Sequence, residues 1–178
     1  MKKKIDILEY INHILKELNK GILITAKCDN KINPMSISWG TFGVEWNRNV
    51  FVIFVRENRY TRSMLDKNPE FTVNIPINKI DRNIIKVCGM KSGHNIDKIK
   101  ELNLTLEEPN MISVPGIKEL PLTLECKILY KKVQDYNELP ENIKNTFYPQ
   151  NVESTFYGAN KDCHIAYYAE IVDSYIIE

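Results

Sequence analysis

Two spacings of hydrophobic residues alternate along the chain, one typical of helices and one typical of strands. An apolar stripe at helical spacing comes first, and Lys20 and Gly21 after it supply a stop signal. The pattern therefore predicts an amphipathic helix over residues 5–19. The apolar run at 22–26 then predicts a first strand. The stripe of the helix consists of Ile5, Leu8, Ile11, Leu15 and Leu18.

Residues 33–61 contain two strand patterns in a row. In the first, three apolar residues (Met35, Ile37, Trp39) alternate with Ser36 and Ser38. This period of two is typical of a strand with one polar face, so both serines are expected to point the same way. Glycines at 40 and 43 then interrupt the pattern, and the polar residues 47–49 predict a turn. The continuous apolar run at 50–55 predicts a buried strand.

The buried strand ends in charge and leads into a short helix. Arg56, Glu57 and Arg59 follow the apolar run, and Thr61 is suited to cap a helix that continues to Lys67. This arrangement would place Arg59 and Thr61 at a helix N-terminus, where backbone N–H groups and the helix dipole favour anions.

The second half of the chain repeats the alternation of strands and short helices. Further strands are predicted at 71–75, 122–133 and 164–177. Further helices are predicted at 81–88, capped by Asp81 and followed by Gly89, and from Lys98 to about Leu102. One helical turn is expected near 141–145, and the rest of 135–160 has no predicted order.

Two loops have a composition that bears on function. Ser92, Gly93 and Lys98 offer a hydroxyl, an unhindered amide and a cation, a combination suited to phosphate. A turn with a solvated lysine is the simpler interpretation of the same residues. The segment 103–121 carries Pro109, Pro115 and Pro121, which predicts an irregular connection of the kind that often covers a site.

The element count predicts a mainly β chain with short helices (α+β), a small β-barrel forming one domain over residues 1–178. The 178 residues carry a net charge of +1, which gives no general basic field for nucleic acid. No apolar run is long enough for a membrane span, and MKKK precedes no signal-peptide core, so a cytoplasmic protein is expected. The four cysteines lie far apart, which predicts free thiols and no metal site.

Several nucleotide and catalytic motifs are missing from the sequence. It contains no G-x-G-x-x-G turn, no P-loop and no serine nucleophile elbow. A dinucleotide resident on a Rossmann turn is therefore not predicted, and neither is a P-loop nucleotide.

Several motifs of this chain, in this order, resemble the flavin reductase-like proteins, which include the flavoredoxins. The motifs are N-P-M-S-I-S-W-G, G-V-E-W, V-R-x-x-R-Y-T, E-F-T-V-N-I-P, C-G-M-K-S-G-x-x-x-D-K and L-E-C-K-I-L-Y, and they span roughly residues 21–130. The resemblance implies an FMN-binding split β-barrel that works as a homodimer. It also implies a flavin near the subunit interface, reduced by NADH or NADPH. Glu57, where relatives often have proline, and Ala169, where they often have glycine, depart from the pattern.

The resemblance also assigns roles to residues of this sequence. The stretch 33–39 would line the isoalloxazine ring, through Asn33, Met35, Ser36, Ile37, Ser38 and Trp39. Arg59 and Thr61 would hold the phosphate, and Ser92, Gly93 and Lys98 would complete its cradle. Tyr60, between Arg59 and Thr61, is also expected to bind the cofactor. Trp39 can equally be a core aromatic residue. No catalytic side chain is expected, because hydride transfer belongs to the flavin and the protein supplies position and electrostatics.

Three functions remain open at this point: an NAD(P)H-dependent flavin oxidoreductase, a flavoredoxin-like electron carrier reduced by a redox protein, and a non-catalytic flavin-binding barrel. Direct reduction by a nicotinamide needs one open ring face, which the small Ser36 and Ser38 and the segment 103–121 are suited to leave. A homodimer is expected as well, since aromatic residues exceed what a small barrel buries, namely Trp46, Tyr148, Phe156 and Tyr157.

Overall fold

The computed structural model describes residues 1–153 and 160–178, and most of its strands belong to one antiparallel sheet. The strands are β1 Lys2–Lys4, β2 Ile22–Cys28, β3 Lys31–Ile37, β4 Gly40–Glu45, β5 Arg48–Arg56, β6 Glu70–Ile75, β7 Leu106–Glu107, β8 Gly116–Ile117, β9 Leu122–Val133 and β10 His164–Ile177. The helices are α1 Ile11–Leu18, α2 Tyr60–Leu65, α3 Asn83–Met90, α4 Lys98–Glu101 and α5 Glu141–Phe147, with 3-10 turns at Ile7–Tyr10 and Tyr136–Glu138.

The sheet runs in the order β3-β2-β6-β9-β10-β5-β4, and β1 pairs with the far end of β10. The pairing path of the described residues is open, with β3 and β4 as its two ends. The long β10 pairs with both β5 and β9. Consequently the edge strand β3 keeps one side of its backbone free of strand pairing, and β7 and β8 form a separate two-stranded ribbon.

The curved sheet encloses the main hydrophobic cluster. Alternate residues of its strands point inward, and α1 and α2 close the cluster with Ile14, Leu18, Met64 and Leu65. A second cluster lies on the other face of β2, where Leu23 packs against Ile84 and Cys88 of α3. The segment 103–121 covers this second cluster with Leu104, Ile117 and Leu120.

The structure confirms the strands predicted at 22–26, 71–75, 122–133 and 164–177, with small shifts of their bounds. It also corrects two local predictions. The first helix is shorter than 5–19, because residues 7–10 form a 3-10 turn before α1. Gly40 and Gly43 do not interrupt the sheet but belong to β4, which pairs along its length with β5.

Two helix ends also differ from the prediction. The N-cap of α2 is Arg59 in extended conformation, so Thr61 lies within the first turn instead of capping it. Helix α3 begins at Asn83 and includes Gly89, which was expected to lie beyond its end. Asp81 still accepts the backbone N–H of Asn83, at 2.9 Å, just before the helix starts.

Candidate functional site

A small polar cavity of about 140 Å³ lies where the start of β3 meets the N-terminus of α2 and the loop between α3 and α4. We call it the cradle. It brings together eight of the residues predicted to bind the cofactor: Asn33, Met35, Arg59, Tyr60, Thr61, Ser92, Gly93 and Lys98.

Three cradle residues form a tight contact at its centre. The Asn33 side-chain amide donates to Thr61 Oγ1 at 2.9 Å, and both side chains are buried. The other amide atom, Oδ1, has no hydrogen-bond partner among the described residues. A Cβ on residue 93 would lie 1.9 Å from that atom, so only glycine allows the loop to approach Asn33 so closely.

The buried amide of Asn33 suits a bound polar group. A side-chain amide can rotate by 180° in the same space, which exchanges acceptor and donor. In one orientation Asn33 accepts from a hydroxyl, and in the other it donates an N–H and accepts from Thr61. An orphaned buried polar atom costs free energy until a ligand or water satisfies it, so the cradle fits a phosphate ester with nearby hydroxyls.

Arg59 and Lys98, the two cations expected to hold phosphate, have different environments. Arg59 is exposed, and its described side-chain contact is a long 3.4 Å hydrogen bond to Asn160 Oδ1. Lys98 is buried, and its ammonium donates to the carbonyls of Pro34 at 2.9 Å and Cys88 at 3.0 Å. Burial lowers the pKa of Lys98, and Cys88 opposes the shift. Arg59 is therefore available to a ligand, whereas Lys98 mainly ties α4 to β3 and α3.

A larger cavity of about 580 Å³ adjoins the cradle along the edge of β3, and we call it the ring cleft. Met35, Arg59, Gly89 and Met90 line both cavities, so the two lie side by side. The other predicted ring contacts lie here, namely Ser36, Ile37, Ser38 and Trp39. Among the predicted ring contacts, only Asn33 belongs to the cradle and not to the cleft.

The edge of strand β3 forms one wall of the ring cleft, and helix α3 forms another. Met35 and Ile37 belong to the main core cluster, so their side chains point away while Ser36, Ser38 and Trp39 remain partly or fully exposed. Because β3 is an edge strand, its free side offers backbone N–H and C=O groups to a planar heterocycle. Helix α3 packs closely opposite, since a Cβ on Gly89 would lie 2.4 Å from Ser36 Oγ.

Residues that the sequence interpretation did not assign to the site complete the cleft. They are Phe54, Arg56, Ile85, Lys86, Gly89, Met90, Asn160 and His164. Arg56 is buried and donates to three backbone carbonyls, those of Asn160, Asp162 and Phe147, at 2.7 to 2.9 Å. Its signal in the sequence was a charge at the end of an apolar strand, which also fits a solvated residue.

His164 is the only imidazole that lines the ring cleft in the described part of the chain. It is 6% exposed, and its Nδ1 lies 2.7 Å from the hydroxyl of Tyr148. Burial and then the charge of Arg56 lower the pKa of His164 to about 4, with Asp162 acting in the opposite direction. At neutral pH the imidazole is therefore uncharged, and the positive charge of the cleft comes from Arg56, Arg59 and Lys86.

Trp39 separates the ring cleft from an apolar cavity of about 530 Å³. Its ring is 5.1 Å from Phe147 on the apolar side and 5.0 Å from His164 on the cleft side. At 40% exposure it is a wall residue and not a core aromatic. Leu15, Leu18, Leu139 and Ile143 are among the other residues of the apolar cavity.

The expected role of segment 103–121 at an open ring face has no support in the structure. No residue of this segment lines the ring cleft or the cradle, and the segment packs on the second core cluster instead. In the described residues, no group of three or more potential ligands is placed to hold a metal.

The described residues thus form an open antiparallel sheet with a polar cradle and a larger cleft at one edge. The sequence model of the flavin reductase like domain matches residues 20–176, and the chain belongs to that family. The resemblance seen in the sequence motifs is thereby confirmed.

The chain is also similar to a curated relative and to solved structures. An uncharacterized protein from Archaeoglobus fulgidus is 30% identical over 125 residues, which cover 70% of this chain and 66% of the relative. The chain thus spans slightly less than two thirds of that curated relative. A flavoredoxin from Methanosarcina acetivorans superposes with a TM-score of 0.62 at 22% identity, over 89% of this chain and 68% of that one.

A third likeness extends over nearly the whole chain. The FMN-binding domain of a flavin reductases-like enzyme from Shewanella baltica superposes with a TM-score of 0.65 at 14% identity, over 99% of this chain and 77% of that one. At such identities the solved structures bear on the fold alone. They confirm the split β-barrel class predicted from the sequence, and no helix of the described residues is long and apolar enough to cross a membrane.

Proposed function

We propose that this chain binds FMN along the edge of β3 and that a reduced nicotinamide delivers hydride to it directly. The observation that carries the proposal is that the cradle and the ring cleft adjoin and share four lining residues, Met35, Arg59, Gly89 and Met90. A small polar pocket beside a larger, partly apolar cleft matches the two ends of a flavin mononucleotide.

Each end of the site has its own task. In the cradle, Arg59 and the Thr61 and Ser92 hydroxyls would hold the phosphate, with the Asn33 amide beside them. In the cleft, the edge of β3 would orient the ring, and α3 would cover part of it with Ile85 and Met90. When bound, FMN supplies the acceptor for hydride, and the protein supplies position and electrostatics.

The charges of the cleft suit both ligands. Arg56 and Lys86 line it together with Arg59, and a cluster of fixed cations favours an anionic cofactor and the pyrophosphate of a nicotinamide donor. The donor must leave after each turnover, which fits a sequence without a Rossmann turn.

Anaerobic stopped-flow mixing tests the proposal. Protein loaded with FMN should lose oxidised-flavin absorbance with NADH or NADPH faster than free FMN does. If neither donor is faster but a reduced ferredoxin is, the chain is an electron carrier. If none of them reduces a tightly bound flavin, it is a non-catalytic flavin-binding protein, and protein that FMN cannot reconstitute would contradict the whole proposal.

We also propose that the chain forms a homodimer. Support comes from large apolar side chains that stay exposed, with Val44 at 71% and Trp46 at 52% beside the β4–β5 turn. Tyr148 gives no support, because it is buried within its own chain, and Phe156 and Tyr157 lie outside the described residues. Light scattering at micromolar concentration decides between a dimer and a monomer.

A further inference from the structure

His164 and Tyr148 stand at the boundary between the ring cleft and the apolar cavity. The imidazole lines the cleft, whereas the phenol lines the cavity on the other side of Trp39. Both side chains are nearly inaccessible, at 6% and 3% exposure. The distance of 2.7 Å between His164 Nδ1 and the Tyr148 hydroxyl is a hydrogen bond in which one partner must donate.

The proton of Tyr148 is committed elsewhere. In the orientation that the structure gives the Gln134 amide, Oε1 accepts from the Tyr148 hydroxyl at 2.9 Å. A phenol has one proton, so with the Gln134 amide in this orientation the phenol oxygen accepts in the bond to His164 and Nδ1 carries the hydrogen. The backbone fixes the geometry further, because the Gln134 N–H donates to the His164 carbonyl at 2.9 Å.

Nearby charge keeps the second ring nitrogen bare. Arg56 pairs with His164 in the β5–β10 register, and its guanidinium lies 5.0 Å from the centre of the Tyr148 ring. Arg59 adds a second cation, and Asp162 is the nearby group of opposite sign. A buried imidazolium beside Arg56 is disfavoured, which agrees with the depressed pKa of His164. No described residue donates a hydrogen bond to Nε2.

We propose that Tyr148 and Gln134 form a relay that holds His164 in the neutral Nδ1–H tautomer, so that Nε2 faces a ligand of the cleft as an acceptor. Tyr148 and Gln134 are then positioning residues that act through His164. The relay selects ligands that bring an N–H or O–H donor to this point, and it disfavours a carboxylate there. The donor is an N–H of the bound flavin or of a nicotinamide carboxamide. The identity of this ligand, unlike the tautomer, therefore rests on the proposed function.

Nitrogen NMR of flavin-free protein labelled with ¹⁵N in its imidazoles tests the tautomer. His13 is an internal control of opposite sense, because its Nε2 lies 2.7 Å from the Pro76 carbonyl and must carry the hydrogen. We expect His164 to show a protonated Nδ1 and a bare Nε2 at pH 7, with its signals identified by their loss in His164→Asn. A protonated Nε2 on His164 would overturn the proposal.

Two variants test the relay itself. Tyr148→Phe removes the acceptor of the Nδ1–H group, so the Nδ1–H tautomer should lose its dominance. Gln134→Glu keeps an obligate acceptor for the phenol proton, so it should retain the wild-type tautomer. If Tyr148 served only in packing, Tyr148→Phe would leave the tautomer of His164 unchanged. That result would contradict the proposed relay.

Ligand additions identify the donor. A shift of His164 Nε2 on adding FMN alone assigns the donor to the flavin, and a shift only when NAD⁺ follows assigns it to the nicotinamide. A resonance that neither ligand moves would overturn the acceptor role. Failure of FMN to bind at all would overturn the proposed function and the ligand half together, while the tautomer is decided independently on flavin-free protein.

Discussion

The cradle and the ring cleft are neighbours, yet they are built in opposite ways. The cradle is small, about 140 Å³, and its side chains already bond to the protein, as Asn33 does to Thr61 and Lys98 to two carbonyls. The cleft is about 580 Å³, and its walls are an unpaired strand edge, a helix and arginines that reach in from elsewhere. A change at a cradle residue that is bonded to the protein should therefore affect fold and affinity together, whereas a change in the cleft should affect ligand binding or the protonation of His164.

Replacing Lys98 should break the cradle as a structural unit. Lys98→Ala leaves the carbonyls of Pro34 and Cys88 without their donor and removes a buried aliphatic stem, so we expect the free energy of unfolding to fall by about 2 to 5 kcal/mol. Urea denaturation of flavin-free protein measures this. Lys98→Met keeps the stem and serves as the control that isolates the hydrogen bonds. Unchanged stability with weakened FMN binding would instead make Lys98 a phosphate ligand.

The cleft should respond to pH through His164. Its pKa is lowered to about 4, so the unfolded chain binds a proton between about pH 6.5 and 4 that the folded chain does not. The stabilising effect is complete above pH 6.5 and is lost as the pH falls through 4, by at most about 3 kcal/mol. The difference in unfolding free energy between wild type and His164→Asn should show this slope. The exposed His94→Asn serves as control, and equal slopes in both variants would contradict the assignment.

Arg59 should separate phosphate binding from ring binding. A charge-assisted hydrogen bond is worth roughly 1.5 to 3 kcal/mol, so Arg59→Ala should weaken FMN binding by about 10-fold to 150-fold. Riboflavin, which lacks the phosphate, should lose far less affinity. Arg48→Ala is the matched control, since Arg48 lies at the other end of β5 and pairs with Glu170. Equal losses for both flavins would mean that Arg59 acts on the ring or the fold.

The substitution Gly93→Ala, which adds one methyl group, should give the smallest of these effects. The new Cβ would lie 1.9 Å from Asn33 Oδ1, so the Asn33 side chain must move, and overpacking of this kind costs about 1 to 3 kcal/mol. Gly43→Ala is the control, because nothing lies within 4 Å of a Cβ there. Thermal unfolding and FMN titration of both variants test the comparison. Equal melting temperatures and FMN affinities in the two variants would show that the Asn33 side chain moves aside without cost.

The sequence predicted the cradle better than the cleft, for a physical reason. Arg59, Thr61, Ser92 and Gly93 are recognisable locally, because charge, hydroxyls and glycine sit in short turns next to strand and helix ends. Arg56 and His164 were missed as site residues, because their roles depend on pairing between β5 and β10 and on carbonyls as distant as that of Phe147. No local sequence pattern predicts contacts between residues that lie so far apart along the chain.

Two other places show how tertiary structure decides what local rules do not. The glycines of β4 lower strand propensity, but pairing with β5 fixes Gly40–Glu45 as a strand nonetheless. Lys98 was correctly placed at the start of a helix, but its sequence does not say which way a long side chain turns. In the folded chain the Lys98 ammonium donates to two backbone carbonyls. The sequence near Lys98 does not indicate these partners, because one of them, Pro34, is distant along the chain.

The position of β10 in the sheet has a consequence for how the chain folds during synthesis. Among the described residues, the hairpin of β4 and β5 joins the rest of the sheet only through β10, although more than 100 residues separate Arg56 from its partner His164. Until the last strand leaves the ribosome, the inward side chains of β5, such as Phe51 and Ile53, lack their final neighbours. Late closure of a sheet by distant strands is slow and leaves apolar edges open to aggregation, so we expect nascent chains that stop before β10 to depend on chaperones.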